Sequence, residues 1–302
     1  MAQPIPFVRD MAFDYGAPQQ VSPLIRHVMS NNPGPFTFRG TGVYIIGEGE
    51  IAVIDPGPDQ PGQLDMLKAA VAGERVTHIF VTHGHLDHSP MARPLAAATG
   101  AKIYASPLSS PPYSLAARLE EDDDHAFRPD VAVKDGDVFH GPGWTIEALT
   151  TPGHTSNHIC FALREENALF SGDHIMGWST TVIGPPDGDM ADYFASLRKV
   201  LARDFATLWP THGPPVREVR AFIEAYIAHR EERERQIVAR LAAGDESIPA
   251  MVEVMYAEVD KRLHPAARHS VLAHMIHLVK QGLVEADGPP GIDTRYRLRA
   301  RA

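Results

Sequence analysis

Three histidines and an aspartate fall within six consecutive residues of the first half of the chain. They form the pattern His83-x-His85-x-Asp87-His88, directly after a short β-type run at 77–81. In a loop at the end of a strand, side chains this close in sequence can converge on one point. Imidazole nitrogens and carboxylate oxygens are the ligands that divalent cations such as zinc prefer. The segment therefore predicts a metal site at the edge of a sheet.

Three further potential ligands follow the cluster along the chain, each at the end of a β-type run. They are His154 in a Thr-Pro-Gly-His-Thr segment, Asp173 in Ser-Gly-Asp and His212 in Pro-Thr-His-Gly. Flanking glycine and proline suit sharp, ordered turns. Each of the three is weak evidence alone, but in this order after the cluster they predict a set of seven ligands.

Hydrophobic periodicity divides the chain near residue 214. Up to that point short β-type runs alternate with helical stretches, whereas from Pro215 onward the pattern is mainly helical. We predict two domains, 1–214 and 215–302. Strands are predicted at 36–46, 50–54, 77–81, 102–105, 144–150, 158–163, 168–171 and 207–209, helices at 63–72, 90–99, 190–201, 216–243, 249–259 and 265–281, a ribbon at 283–285 and 295–299, and a loop at 106–128.

Charge follows the same division. The net charge is -10. Residues 1–216 carry 14 basic and 25 acidic side chains, a net -11, and residues 217–302 carry 14 and 13, a net +1. An acidic first domain argues against a general nucleic-acid binder.

Composition also predicts the cellular setting. Cys160 is the single cysteine, so no internal disulfide can form, and we expect it to be a buried small apolar residue. The sequence contains no apolar run of about 18 residues that could span a membrane. The N-terminal residues lack a basic segment followed by an apolar one, as a signal peptide would have. These features predict a cytoplasmic protein without a membrane partner.

The ligand pattern resembles that of the metallo-β-lactamase superfamily over roughly residues 20–214. The Ile-Asp-Pro-Gly segment at 54–57 commonly precedes the histidine motif in that family. The resemblance implies an α/β protein, a four-layered αβ/βα sandwich with its metals at one edge. It also implies a role for each ligand: His83, His85 and His154 for a first metal, Asp87, His88 and His212 for a second, and Asp173 as the bridge.

These ligands predict metal-assisted hydrolysis. A water shared by two divalent ions has its pKa lowered towards neutrality, and the resulting hydroxide can attack a carbonyl carbon, with Asp87 placed to orient it. The predicted cofactors are two divalent ions, with zinc favoured by the histidine-rich set and iron or manganese as alternatives. The predicted substrate is a small ester, thioester or lactone.

The C-terminal region resembles a winged-helix module, a helix ending in Lys280-Gln281-Gly282 followed by a strand that starts Leu-Val. A metal domain with such a tail resembles the beta-lactamase-like protein 2 group, whose animal members are single-strand endoribonucleases. RNA is therefore the alternative substrate. Arg295, Arg297, Arg299 and Arg301 alternate along the ribbon and could present one basic face. We favour instead a module that covers the active site or forms a homodimer interface.

Three other functions receive less support. True β-lactamases of the family usually lack the carboxylate that Asp173 supplies. A persulfide dioxygenase would use one iron at the first site and would not need Asp87, His88 and His212. A non-catalytic winged-helix binding protein would not need a complete ligand set.

Six further residues are predicted to surround the centre. Asp55 either accepts a hydrogen bond from a ligating imidazole or caps its own turn. His158 and His174 are predicted to be structural or to line the pocket. The segment after Asp173 should border the metals, which makes three of its side chains potential substrate contacts: Trp178, Ser179 and Thr180.

Overall fold

The computed structural model describes residues 4–107 and 124–300, and its first sheet has seven strands. The strands follow chain order, β1 to β4 antiparallel and β4 to β7 parallel. Their bounds are β1 Gln19–Ser22, β2 Ile25–Met29, β3 Gly42–Ile46, β4 Glu50–Ile54, β5 Arg75–Phe80, β6 Lys102–Ala105 and β7 Val131–Ala132.

The second sheet has five strands in the order β12-β11-β10-β9-β8. All neighbours are antiparallel except β11 and β12, which run parallel. Their bounds are β8 Val138–Gly141, β9 Trp144–Thr150, β10 Ile159–Leu163, β11 Ala168–Gly172 and β12 Thr207–Pro210.

Alternation along the strands explains how the sheets and helices stack. In β4, Ile51 and Val53 face a core shared with helices α1 (Gln63–Ala70) and α2 (Ala92–Thr99), whereas Ala52 and Ile54 face the second sheet. Both faces of β4 are thus covered, and its apolar residues alternate between two cores.

The second sheet repeats this arrangement. In β10, Phe161 packs between the two sheets, and Cys160 packs towards helix α3 (Met190–Leu201). The layers are therefore helix, sheet, sheet and helix, and the predicted αβ/βα sandwich is confirmed.

The C-terminal region has a core of its own. Helices α4 (Val219–Ala242), α5 (Ile248–Met255) and α6 (His264–Lys280) pack with the ribbon of β13 (Val284–Ala286) and β14 (Tyr296–Leu298). The predicted helical winged-helix unit is confirmed. Helix α4 belongs to both units, because its first half packs on the second sheet and its second half in the C-terminal core. The boundary at 214/215 stays a prediction.

The structure differs from the predicted elements in one shortened strand and in four strands that the sequence did not predict. The strand expected over 36–46 begins only at Gly42, because Phe38 and Gly40 have φ of 58° and 138° and bend the chain. Strands β1, β2, β7 and β8 were not predicted. Of the predicted loop at 106–128, residues 108–123 lie outside the described residues, and so does most of the acidic run at 120–124.

Within the described ranges, the helices are all too short or too polar to cross a membrane.

Candidate metal centre

All seven predicted ligands lie together at one edge of the sandwich. The His83-x-His85-x-Asp87-His88 segment forms the loop that follows β5, and the other three ligands follow strands of the second sheet, β9, β11 and β12. Because these strands end at the same edge, residues more than 120 positions apart meet there. Six of the seven are buried, and the Asp87 side chain is 20% exposed, which leaves it accessible from solvent.

Three triplets within this group have ligand atoms within 4.8 Å of one another, as a metal ion would require. Two of the triplets share His83 and two share His88, so the three form one continuous cluster. The triplets are His83, His85 and His154; His83, His88 and Asp173; and Asp87, His88 and His212.

Hydrogen bonds fix the orientation of three of the imidazoles. The Nδ1 of His88 lies 2.9 Å from the Asp55 carboxylate, that of His154 2.6 Å from the Val182 carbonyl, and that of His212 3.1 Å from the Gly40 carbonyl. These oxygens can only accept, so Nδ1 carries a proton in each ring. In the neutral tautomer, each ring would then offer the lone pair of Nε2 to a cation.

The same reasoning identifies which nitrogen of His83 and of His85 faces the cluster, and the two rings differ. Thr82 Oγ1 donates to Asp55 Oδ2 at 2.8 Å, so at 3.0 Å it accepts from His83 Nδ1. His83 therefore also offers Nε2, which lies 2.9 Å from His85 Nδ1. His85 thus faces the cluster with Nδ1, whereas the other four rings face it with Nε2.

Asp55, at the end of β4, connects two of the loops that carry ligands, the one after β5 and the one after β12. Its buried carboxylate accepts from Thr82 N at 2.8 Å and Thr211 Oγ1 at 3.0 Å, in addition to Thr82 Oγ1 and His88 Nδ1. Of the two roles considered for Asp55, the structure shows the hydrogen bond to an imidazole. The backbone adopts φ of 48° at this residue, an uncommon value outside glycine, which aims the side chain inward from the end of β4.

Opposite charges face each other on one side of the cluster. Asp87 Oδ2 lies 3.0 Å from His212 Nε2 and 3.3 Å from His88 Nε2, and Asp173 Oδ1 lies 3.5 and 3.6 Å from the same two nitrogens. Burial alone would lower the pKa of both imidazoles. The carboxylates outweigh it, holding the pKa of His88 well above its usual range and raising the pKa of His212 to about 9.

The pKa values of the Asp87 and Asp173 carboxyl groups shift in the opposite direction. Burial opposes their ionisation, but His88 and His212 hold the pKa of Asp87 and of Asp173 below the usual range. Burial and neighbouring histidines lower the pKa of His83 well below its usual value and that of His85 to about 3. Without a cation, the protons thus reside beside the carboxylates, where a metal would replace them.

The donor set fits divalent cations. His88 Nε2 and Asp173 Oδ1 are buried and have no hydrogen-bond partner among the described residues. Each of the two atoms faces an opposite charge at 3.3–3.6 Å, but neither makes a hydrogen bond there. A cation would satisfy both atoms, and five imidazoles with two carboxylates are a ligand set that zinc accepts.

The remaining predicted residues lie around the cluster rather than in its triplets. His158 Nε2 accepts the backbone N–H of Asp173 at 3.2 Å, while its Nδ1 lies 2.9 Å from Thr151 Oγ1. The buried His174 ring packs 5.1 Å from the ring of Tyr193, on the α3 side of the sheet. His158 therefore holds the backbone of a predicted ligand, and His174 is part of the helix-side packing.

Trp178 lies beside the turn that carries His212. A Cβ on Gly213 would come within 2.9 Å of the Trp178 ring, which stacks on Phe38 with centroids 4.8 Å apart. The half-exposed pair forms part of the rim of the centre. Ser179 and Thr180 are also half-exposed and follow Trp178.

Sequence reasoning missed the segment that precedes β3. The Gly40 carbonyl orients His212, and Thr41 Oγ1 lies 3.4 Å from Asp87 Oδ2. The signal was the glycine on each side of Thr41, which is unusual inside a predicted strand and points to a close backbone approach. A Cβ on Gly40 would lie 2.1 Å from the Ser30 carbonyl, so a larger residue does not fit there.

A two-sheet sandwich with a buried histidine and aspartate cluster at one edge defines a class of metal-dependent hydrolases. Comparison of the chain with known protein families agrees with this class. Residues 37–212 match the family model described as Metallo-beta-lactamase superfamily, and residues 247–291 match the Beta-lactamase associated winged helix domain. The chain belongs to the metallo-beta-lactamase superfamily and carries its associated winged-helix domain.

Three similar proteins illustrate the range of the family. A beta-lactamase-like protein 2 homolog of Caenorhabditis elegans is 31% identical over 88% of this chain and 88% of its own length. An atrochrysone carboxyl ACP thioesterase of Paecilomyces divaricatus is 32% identical over 74% of this chain and 66% of its own. The crystal structure of a metallo-beta-lactamase family protein from Thermus thermophilus superposes with a TM-score of 0.74 at 22% identity, covering 92% of this chain and all of that one.

Proposed function

We propose that this protein hydrolyses a small carboxylic thioester at a centre of two zinc ions, with simple esters and lactones as further substrates of the same chemistry. The position of Asp173 is the observation that carries the proposal. Its Oδ2 faces His154 at 3.9 Å, and its Oδ1 faces His88 and His212. A carboxylate between two groups of imidazoles is suited to bridge two cations.

The predicted ligands would have separate roles at such a centre. His83, His85 and His154 would hold one ion, Asp87, His88 and His212 the other, and Asp173 both. When bound, the two ions would supply Lewis acidity towards the substrate carbonyl and lower the pKa of an attacking water. Asp87 is the ligand open to solvent, so its carboxylate can accept and orient a proton of that water. Zinc suits the imidazole-rich set, and iron and manganese are the alternatives.

The C-terminal domain supports a small substrate better than RNA. In helix-turn-helix proteins the recognition helix enters a nucleic-acid groove, but here α6, the helix before the ribbon, packs against α3, α4 and α5 and is buried at eight positions. On the ribbon, Arg295 pairs with Glu246 at 3.1 Å and Arg297 with Glu285 at 2.9 Å. Arg299 also lies 3.7 Å from Glu285, so each arginine of the predicted basic face that the structure describes faces a carboxylate, and Arg301 lies outside the described residues.

The choice of a thioester also draws on the relatives. Several proteins similar to this chain are named atrochrysone carboxyl ACP thioesterases, at 29–32% identity.

The homodimer and the cytoplasmic location stay predictions.

We expect the purified protein to contain two divalent metal ions per chain, mainly zinc. Elemental analysis of the protein after gel filtration measures this directly. Stripping the metal with a chelator should abolish hydrolysis, and added zinc should restore it. A single iron per chain would contradict the dinuclear proposal and support the mononuclear dioxygenase.

A panel of acyl thioesters, esters, lactones, phosphodiesters and short single-stranded RNA tests the substrate class. We expect the thioesters to give the highest kcat/KM, because a thiolate is a better leaving group than an alkoxide. Their hydrolysis is followed by the reaction of the released thiol with a chromophoric reagent. Chelator-treated protein is the matched control. Cleavage of RNA without turnover of any carboxylic substrate would contradict the proposal.

A further inference from the structure

Helix α4 of the C-terminal region contacts the segment 173–182, which carries one predicted ligand and orients another. Tyr226 of α4 is completely buried, and its hydroxyl lies 2.8 Å from the Met176 carbonyl and 2.5 Å from the Ser179 carbonyl. It donates its one proton to one of these oxygens and accepts the backbone N–H of Met176 at 3.3 Å. One side-chain oxygen therefore holds both ends of a four-residue turn.

Arg230, one helical turn after Tyr226, holds the same segment further along. Its side chain is buried, one Nη donates to the Thr181 carbonyl, and the guanidinium lies 5.3 Å from the ring centre of Tyr193. Within the described part of the chain, no carboxylate forms an ion pair with it. Burying a cation is costly unless its surroundings compensate, and here the Thr181 carbonyl and the Tyr193 ring do so. Both groups must therefore keep their positions beside the guanidinium.

The atoms that Arg230 contacts lead directly to two predicted ligands. Thr181 Oγ1 lies 2.8 Å from the backbone carbonyl of Asp173. The carbonyl of the next residue, Val182, accepts from His154 Nδ1 at 2.6 Å. A shift of residues 181 and 182 would therefore move Asp173 and break the hydrogen bond that sets the tautomer of His154.

We propose that Tyr226 and Arg230 are positioning residues of the metal centre, so that the first half of α4 supports a site whose ligands all lie between residues 83 and 212. This inference rests on the proposed function in taking Asp173 and His154 as ligands.

The full-length variants Tyr226→Phe and Arg230→Lys test the inference, since Phe keeps the ring and Lys keeps the charge. The controls are Tyr296→Phe, whose hydroxyl lies 2.7 Å from the Gly291 carbonyl in the C-terminal core, and Arg235→Lys on the exposed side of α4. Zinc affinity is measured on metal-stripped protein by competition with a chromophoric chelator. The visible spectrum of the cobalt-loaded protein reports the coordination directly.

We expect both test variants to bind zinc roughly 10-fold more weakly, the lower end of the effect of direct partners of metal ligands, because both residues act through the backbone, and to alter the cobalt spectrum. The controls should retain wild-type affinity, even where their Tm falls. Unchanged affinity in both test variants, with normal binding by the wild type, would overturn this inference alone. If Arg230→Lys does not fold, Tyr226→Phe decides. A wild-type chain that binds no zinc would overturn the proposed function and the inference with it.

Discussion

Replacing Asp87 with alanine is expected to reduce hydrolysis by roughly 10²- to 10⁴-fold, the usual contribution of a group that handles a proton in the transition state. Its Oδ2 is the carboxylate oxygen nearest to His212 Nε2, at 3.0 Å, and the side chain is partly exposed to the solvent from which a substrate arrives. Under the proposed mechanism, removing it takes away a ligand of the second ion and the group that orients the water. Steady-state kinetics with zinc in excess measures the loss.

The fold should survive this change, because Asp87 lies outside the four apolar cores. Circular dichroism and Tm should therefore resemble those of the control Asp65→Ala, at an exposed aspartate in the first turn of α1. Full turnover by the Asp87 variant in zinc-replete buffer would contradict the mechanism.

Local patterns pointed to the seven candidate ligands, whereas the layered fold and the role of each ligand were implied by the resemblance to a known family. Strand β4 alternates between two apolar cores over five residues, and the spacing of the histidine motif is visible without any tertiary contact. Turns rich in glycine and proline marked the strand ends from which His154, Asp173 and His212 reach the same edge.

The features that sequence reasoning missed depend on contacts between distant parts of the chain. Phe38 and Gly40 lie in an apparently continuous β-type run, and only the backbone approach to Ser30 and His212 makes the chain turn there. The buried Arg230 resembled the exposed charges around it on α4. Its role follows from the segment opposite, about 50 residues earlier, which helical periodicity cannot identify.

The sequence left two roles open for Asp55 because its contacts, too, come from distant parts of the chain. Its position after β4 could be deduced from the sequence, but its partners come from the loops after β5 and β12, up to 156 residues away. Four hydrogen bonds from buried groups to one carboxylate make this residue important for both stability and the metal centre.

Replacing Asp55 with asparagine is expected to destabilise the protein by about 3–5 kcal/mol, because an amide nitrogen would face donors and leave buried groups without a partner. The change should also weaken zinc binding roughly 10- to 100-fold, since a neutral amide oxygen is a weaker acceptor for the Nδ1–H of His88 than the carboxylate is. Denaturant unfolding and chelator competition measure the two effects. The control is Asp59→Asn, an exposed aspartate four residues on. An Asp55 variant with the stability and zinc affinity of this control would show that the carboxylate neither supports the loops nor orients His88.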